Sequence, residues 1–351
     1  MEIVVSIILL LIGFFVLIKC SDIFVDAVSS IATSFKMSKM MIALTVAAFG
    51  TCAPELAISF QSIRGGAGDI ALANVLGSNV VNILLIVGLA ATICPIRVKK
   101  EVTKKELPIL LVVTTMFSLS IISHYIGRTP DSFILSRSDG VLFIFFFLLF
   151  IFYIVSVVKS KQGFFEYNKP QFNIMTSILL IVGCTFGIIL ASDLVVNNAK
   201  VLAEALNVST KFITMTVVVI GTSLPEMTMT VVASKKGEFD IALGNIIGTN
   251  IFNIGIVLGL PLLIYGGFSS VSFTLIDILA VQLAASILYL FARNDKVLSR
   301  KEGIIMILLF CLYYGYMLIF WYVHDYIFSE VQSLWLLDIT IWSCFLPNLQ
   351  C

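Results

Sequence analysis

Two short runs concentrate the residues of this chain that could do chemistry. "GTCAPE" spans Gly50 to Glu55, and "GTSLPE" spans Gly221 to Glu226. Each places one carboxylate in the middle of an apolar stretch. Glu55 and Glu226 are the only acids in those stretches, and neither stretch holds a Lys or Arg. A charge at the centre of a membrane costs at least a few kcal/mol and marks function by default. Two carboxylates without a basic partner need a bound cation or protons. A pair of protonated glutamates bonded helix to helix is the alternative. Pro54 lacks a backbone N–H and crowds the carbonyl one turn back, so it frees carbonyls near Gly50. Gly50 adds conformational latitude. Pro225 and Gly221 repeat the arrangement. One copy alone also reads as a plain proline kink.

The side chains around these runs are oxygen donors. Thr51, Thr222 and Ser223 adjoin the glutamates. Ser78, Asn79 and Asn82 follow in the next apolar stretch, and Thr249, Asn250 and Asn253 in its counterpart. Carboxylates, hydroxyls, amide oxygens and freed carbonyls suit hard cations such as Ca²⁺ or Na⁺. Asn79 and Asn250 also fit as packing or capping residues. The histidines, His124 and His324, stand in loops. The seven cysteines are scattered with no CxxC spacing, which indicates neither a zinc site nor a disulfide framework.

The elements that must hold these residues are membrane helices. The 351 residues are 59% hydrophobic and 12% charged, with mean hydropathy +1.07, whereas soluble domains carry about 25% charged residues. Runs of roughly 20 apolar residues recur throughout. Ten spans are predicted near 3–33, 40–63, 70–94, 107–124, 139–158, 173–206, 212–234, 240–265, 272–292 and 303–323, with an eleventh apolar stretch at 331–346. The N-terminal run lacks a positive leader region and a cleavage site, so it reads as the first span and not as a removed signal. With an external N-terminus, alternate loops hold 16 Lys and Arg on the cytoplasmic side and 5 outside. The positive-inside rule thus sets the orientation. The net charge of +1 points to no nucleic-acid partner.

The chain repeats itself. Pro54-Glu55 returns as Pro225-Glu226, "DIALAN" from Asp69 as "DIALGN" from Asp240, and "GSNVVNI" from Gly77 as "GTNIFNI" from Gly248. The offset is 171 each time, and 38–89 matches 209–260 at 20 of 52 positions. Gly, Pro, Glu, Asp and Asn carry the match, which apolar composition does not explain. Five spans per half turn the second copy upside down. The reading is an all-α polytopic membrane protein of about ten transmembrane helices, in two inverted-topology five-helix repeats with interrupted helices 2 and 7. In such transporters the site lies near the midplane between copies. The halves are 1–158 (motif 43–89) and 173–323 (motif 214–260). A short cytoplasmic linker, 159–172, joins them, and a tail, 324–351, follows. Gly77, Gly88, Gly248 and Gly259 are expected to permit close helix packing. Asp69 and Asp240 fit helix N-terminal charges better than an ion entry. Two ionised glutamates leave an empty site near −2, costly to carry through hydrocarbon, so the protein should switch sides only when loaded.

"GTCAPE…GDIALANVLGSNVVNIL" and "GTSLPE…FDIALGNIIGTNIFNI" resemble the two α-repeats of the cation/Ca²⁺ antiporter superfamily, and most closely the prokaryotic-type sodium/calcium exchanger family. The resemblance covers both repeats and, through the ten-span layout, most of Met1 to Tyr322. It implies that Glu55 and Glu226 hold Ca²⁺ and share Na⁺, with Thr51 and Thr222 contributing to the Ca²⁺ site. It also implies that Ser78, Thr249 and Ser223 serve Na⁺ sites beside the carbonyls of Ala48 and Val219, and that Asn82 and Asn253 line the centre. It further implies exchange of three Na⁺ for one Ca²⁺, sliding first and sixth helices, and K⁺-independence from asparagine at 253. Cys52 departs from a position that is commonly serine, which puts a Na⁺ role there in doubt. No large regulatory insertion separates spans five and six. The expected protein is not an enzyme and carries no cofactor. It works as a monomer in a cell membrane with Ca²⁺ and Na⁺ as substrates. Competing readings are H⁺/Ca²⁺ antiport or another Na⁺/divalent exchange, a passive channel, and an intramembrane hydrolase. The channel lacks a visible subunit ring, and the hydrolase lacks a nucleophile with a base. ATP-driven transport lacks a P-loop.

Overall fold

The computed structural model describes residues 2–35, 37–66, 68–126, 133–159, 170–205, 219–270, 275–294, 296–317 and 319. It divides into a unit Met1–Ile307 and a unit Leu308–Cys351. The second is described only at 308–317 and 319, all helical. The predicted eleventh stretch, most of the linker and the first residues of span seven lie outside the described residues.

In the first unit α1 runs Glu2–Ser34. The second span is a bent pair, α2 (Lys39–Thr51) and α3 (Ala53–Arg64), meeting at 50°. Then come α4 (Ile70–Ile93), α5 (Val102–Ser123), α6 (Arg137–Lys159) and α7 (Ile174–Ala205). A second interrupted pair follows, α8 (Val219–Thr222) and α9 (Leu224–Lys235). After it come α10 (Phe239–Tyr265) and α11 (Leu275–Asn294), and a further helix begins at residue 300. Seven described helices are long and apolar enough to cross a membrane, eight with the bent pair. Spans seven and ten of the predicted ten are described in part. Two boundaries move outward: the fourth span starts at Val102, not 107, and the tenth at 300, not 303.

The repeat holds in the backbone. Ala53–Arg64 maps onto Leu224–Lys235 and Glu2–Ser34 onto 173–205, both at the offset of 171. These first and seventh helices pack along each other more extensively than any other pair. At 33 residues α1 is about 50 Å long, more than the roughly 30 Å of a hydrocarbon core. Its Leu11 and Phe15, like Phe152 of α6 and Leu190 of α7, point outward. The motif-bearing α4 and α10 are buried on nearly all sides. A helix that is apolar all round needs such surroundings.

Two short ribbons were not foreseen. β1 (Ile96–Arg97) pairs antiparallel with β4 (Val297–Leu298), and β2 (Phe133–Leu135) with β3 (Phe268–Ser270). The length of α5 separates β1 from β2, so the ribbons sit at opposite ends of the bundle, each joining one half to the other. Glycines close the same cross-links inside. A Cβ on Gly88 would lie 2.9 Å from the Gly303 carbonyl, and one on Gly303 2.6 Å from the Gly88 carbonyl. Gly259, the copy of Gly88, faces Gly140, where a Cβ would come within 2.8 Å of the Gly259 carbonyl. Gly248 has its Cβ position 2.6 Å from the Leu44 carbonyl. The close packing expected at Gly88, Gly248 and Gly259 is therefore present.

Side chains at these contacts meet backbone, which cannot step aside. Gly303→Leu and Gly140→Leu should each sharply reduce the yield of monodisperse protein on size exclusion, since overpacking costs about 1–3 kcal/mol or more. Gly183→Leu, with nothing within 4 Å of its Cβ position, should leave the yield unchanged.

Candidate cation site

Both helix interruptions fall one residue past the threonine. Cys52, at φ −76° and ψ 0°, separates α2 from α3, and Ser223, at φ −89° and ψ 7°, separates α8 from α9. Pro54 and Pro225 occupy the first turn of the restarted helices, where a missing N–H is not needed. The proline thus favours a restart more than it kinks a continuous helix, which refines the expectation drawn from its clash with the preceding turn. Glu55 and Glu226 are in the same first turns, where the positive helix end favours a carboxylate by about 0.3–1 kcal/mol. The preceding halves end at Thr51 and Thr222 and aim their negative, carbonyl-bearing ends at the same breaks. Each interruption therefore offers a cation a carboxylate and a helix C-terminus.

The copies interlock. The Glu55 helix α3 packs on the 253–258 segment of α10, and the Glu226 helix α9 packs on the 81–87 segment of α4. Both segments are wide, π-type turns: Val81–Val87 and Asn253–Leu258. Such turns recur at functional sites, because the widened turn disturbs the backbone ladder. Thr51 of one copy stands beside Glu226 of the other, and Thr222 beside Glu55.

Burial makes the chemistry acute. Glu55 is 1% exposed and Glu226 0%. Oε2 of Glu55 and both carboxylate oxygens of Glu226 have no hydrogen-bond partner among the described residues. The same holds for the hydroxyls of Ser78, Ser223 and Thr249 and for the side-chain oxygens of Asn82 and Asn253. Buried polar atoms are nearly always bonded, so oxygens orphaned together on packed elements need another partner. A hard cation is the partner that oxygen ligands of this kind fit.

The expected ligands separate on this basis. Asn82 has neither amide atom engaged. Asn253 donates to Asn79 Oδ1 at 3.1 Å and keeps its own oxygen free of partners. Asn79 in turn reaches the Asn250 carbonyl at 3.5 Å, and the Asn250 amide bonds Ile246 O at 2.7 Å. Asn79 is thus a packing residue joining the copies, whereas Asn250 turns its amide to its own helix and leaves Oδ1 without a partner among the described residues. The Ala48 carbonyl is already taken by Cys52 N at 3.1 Å and the Thr51 hydroxyl at 3.3 Å, so it can serve an ion only if the hydroxyl turns away. The Val219 backbone lies in α8, and its side chain is outside the described residues. Cys52 is fully buried, with Thr249 and both glutamates around its thiol. Asp240 stands in the first turn of α10, as expected of a helix N-terminal charge; the side chain of Asp69 is outside the described residues.

Two residues of the site's frame were passed over. Asn74 donates to the Glu55 carbonyl at 3.2 Å, and its copy Asn245 reaches Thr230 Oγ1 at 3.5 Å. Both are 6% exposed or less. The signal was present, since this asparagine is the last residue of "DIALAN" and of "DIALGN".

A buried acidic site between inverted copies with interrupted helices defines a secondary transporter. The chain belongs to the sodium/calcium exchanger protein family, matching it over residues 5–156 and 176–319. It is therefore a transporter of the cation/Ca²⁺ exchange class and not an enzyme. It is 37% identical over 268 residues to the inner membrane protein YrbG of Escherichia coli K12, covering 74% of this chain and 80% of that one. With the sodium/calcium exchanger MaX1 of Methanosarcina acetivorans it shares 29% identity over 353 residues, 92% of this chain and 100% of that one. Among solved structures, the sodium-calcium exchanger NCX_Mj soaked with 2.5 mM Na⁺ and 10 mM Sr²⁺ matches with TM-score 0.74 and 31% identity, covering 88% of this chain and 98% of that one.

Frame and ligand are separable by mutation. Asn74→Ala leaves the Glu55 carbonyl without its donor and should lower stability by about 1–3 kcal/mol, measured by thermal unfolding in detergent. Asn82→Ala removes an amide with no partner among the described residues. It should leave ion-free stability nearly unchanged while weakening the stabilisation that added Ca²⁺ provides.

Proposed function

We propose that this protein exchanges Na⁺ for Ca²⁺ across a cell membrane by alternating access at one midplane site formed by Glu55 and Glu226. The observation that carries this reading is a pair of buried glutamates, one on each inverted half-helix, with Oε2 of Glu55 and both oxygens of Glu226 left without a partner among the described residues. Ca²⁺ is held by the two carboxylates with Thr51 and Thr222. Ser78, Thr249 and Ser223, with the carbonyls of Ala48 and Val219, serve flanking Na⁺. Asn82 and Asn253 line the centre.

Charge sets the exchange rule. The empty site carries about −2, and one Ca²⁺ or two Na⁺ neutralise it. A third Na⁺, in the hydroxyl-rich flank, makes the cycle electrogenic at three Na⁺ per Ca²⁺. An unloaded −2 site crossing hydrocarbon is costly, so leak is suppressed and exchange is enforced. The hydroxyl flank also favours Na⁺ over H⁺ as the coupling ion, since protons require only the carboxylates. Asn253, an amide in place of a carboxylate, supports independence from K⁺. The halves 1–158 and 173–323 act as the two inverted modules, with the N-terminus outside and the basic loops in the cytoplasm. A single chain contains both halves of the site, so a monomer suffices.

Purified protein in liposomes loaded with Na⁺ should accumulate ⁴⁵Ca²⁺ when diluted into Na⁺-free medium, faster when the membrane potential draws positive charge outward with the Na⁺. Glu55→Gln or Glu226→Gln should reduce uptake by at least 100-fold without loss of folded protein. Uptake that follows a pH gradient and ignores Na⁺ would replace this reading with H⁺/Ca²⁺ antiport. Uptake without any counter-ion would replace it with a channel.

A further inference from the structure

Glu106 is a buried acid that ion exchange at Glu55 and Glu226 leaves without a task. It closes the wide turn Val102–Glu106 that opens α5 and is 3% exposed. Tyr153 of α6 donates its hydroxyl to Glu106 Oε1 at 2.6 Å. Oε2 has no partner among the described residues. Buried polar atoms are nearly always bonded, so Oε2 is an acceptor that a donor from elsewhere must meet. A cavity of about 790 Å³ gives that donor room, and Glu106 and Tyr153 both line it. Small-molecule sites are of this size, roughly 300–1,000 Å³.

The cavity sits where three helices begin or end, on the face that bears the basic loops. Met40 and Met41 line it from the first turn of α2, Lys104 and Lys105 from the first turn of α5, and Val157 from the last turn of α6. Glu106 stands one turn inside α5, and Tyr153 less than two turns from the end of α6. Both are at the depth of a membrane interface, where tyrosines of membrane proteins collect. Lys104 and Lys105 are exposed and Glu106 is not. The cavity therefore carries positive charge on its solvent side and a carboxylate oxygen in its buried wall.

That arrangement of charge selects the ligand. A simple anion suits the lysines and is repelled by Glu106. A simple cation does the reverse. A zwitterion with a phosphate and an ammonium group a few ångströms apart suits both. Basic recesses between membrane helices take lipid headgroups. We propose that this cavity binds the headgroup of an aminophospholipid of the phosphatidylethanolamine type, with its phosphodiester on Lys104 and Lys105 and its ammonium donating to Glu106 Oε2. The ammonium N–H is the discriminating group. Phosphatidylglycerol has no cation to offer Glu106. The trimethylated ammonium of phosphatidylcholine has no N–H to donate. Phosphatidylserine brings a second carboxylate beside Glu106. The bound headgroup joins the first turn of α2 to α5 and α6, and the site stands whichever ions the protein exchanges.

The test titrates the full chain, delipidated in detergent, with lipids of identical acyl chains. Native mass spectra read the bound lipid, and thermal unfolding reads its effect. Phosphatidylethanolamine should bind about tenfold more tightly than phosphatidylcholine or phosphatidylglycerol, the gap that a charge-assisted hydrogen bond supplies. Stepwise N-methylation of the ammonium should weaken binding step by step, an arm that needs no variant to fold. Glu106→Gln should bring phosphatidylethanolamine and phosphatidylcholine to nearly equal affinity. Lys104→Gln combined with Lys105→Gln should weaken both lipids alike and keep their ratio, because the phosphate is common to both. Equal binding of the two lipids by the wild type would overturn the proposal, as would a preference that survives Glu106→Gln. Glycerophosphoethanolamine binding as tightly as the lipid would overturn the lipid occupant in favour of a soluble phosphoethanolamine compound.

Discussion

Two buried carboxylates with no basic side chain in their spans govern this structure. Glu226 has no hydrogen-bond partner on either oxygen among the described residues, and Glu55 is nearly as enclosed. Folding alone would select against this, since an unpaired buried charge costs far more than a hydrogen bond returns. The arrangement persists because the surroundings hold it open. Each glutamate starts a half-helix, each preceding half-helix ends on it, and Asn74 secures the Glu55 carbonyl from α4. The frame is rigid at the places where the ligands are free. The Asn79 contacts to Asn250 and Asn253 join the copies through atoms that no ion needs.

The inverted repeat solves a geometric problem that one copy could not. A lone interrupted helix presents its carboxylate and its carbonyl end from one direction. Two copies turned end over end enclose a point from opposite sides, each resting on the wide turn of the other. The ribbons and glycine contacts repeat this exchange at the periphery, since β1 meets β4 and β2 meets β3, while Gly88 meets Gly303 and Gly259 meets Gly140. Each of these ribbons and glycine contacts joins one half of the chain to the other.

The elements that bear the site were legible in the sequence because rare residues mark them. Gly, Pro, Glu and Asn at a constant offset stand out against Leu, Ile and Val; they put Glu55 and Glu226 in the interrupted helices and Asn82 and Asn253 in the helices that follow, where the fold has them. Features that depend on spatial neighbours were not legible. A wide turn at Val81–Val87 leaves no compositional mark, because the extra residue is as apolar as the rest. Gly140 and Gly303 are partners of a repeated pair but lie 163 residues apart, not 171, so a fixed offset misses them. The saturation of the Ala48 carbonyl follows from where one threonine hydroxyl points. The motif placed Cys52 at the break, but only the fold shows that its thiol is fully buried there.

The repeat also separates what must be symmetric from what need not be. The same ion has to fit the same ligands whichever side it enters from, so the two halves keep Glu, Pro, Thr and Asn in register around the centre. At the ends, the positive-φ glycine and the aspartate that follows it are retained, while the charges around them are not. The turns at Gly65–Asp69 and Lys236–Asp240 share positive-φ glycines and hydrogen bonds, yet one carries a lysine and a glutamate where the other carries glycine and alanine. A shared backbone lets both ends adopt the same two arrangements. Side chains that differ give those arrangements different free energies. Reversible exchange requires only that the difference stay within reach of the ion gradients, so the ends of the bundle are free to vary in charge while its centre is not.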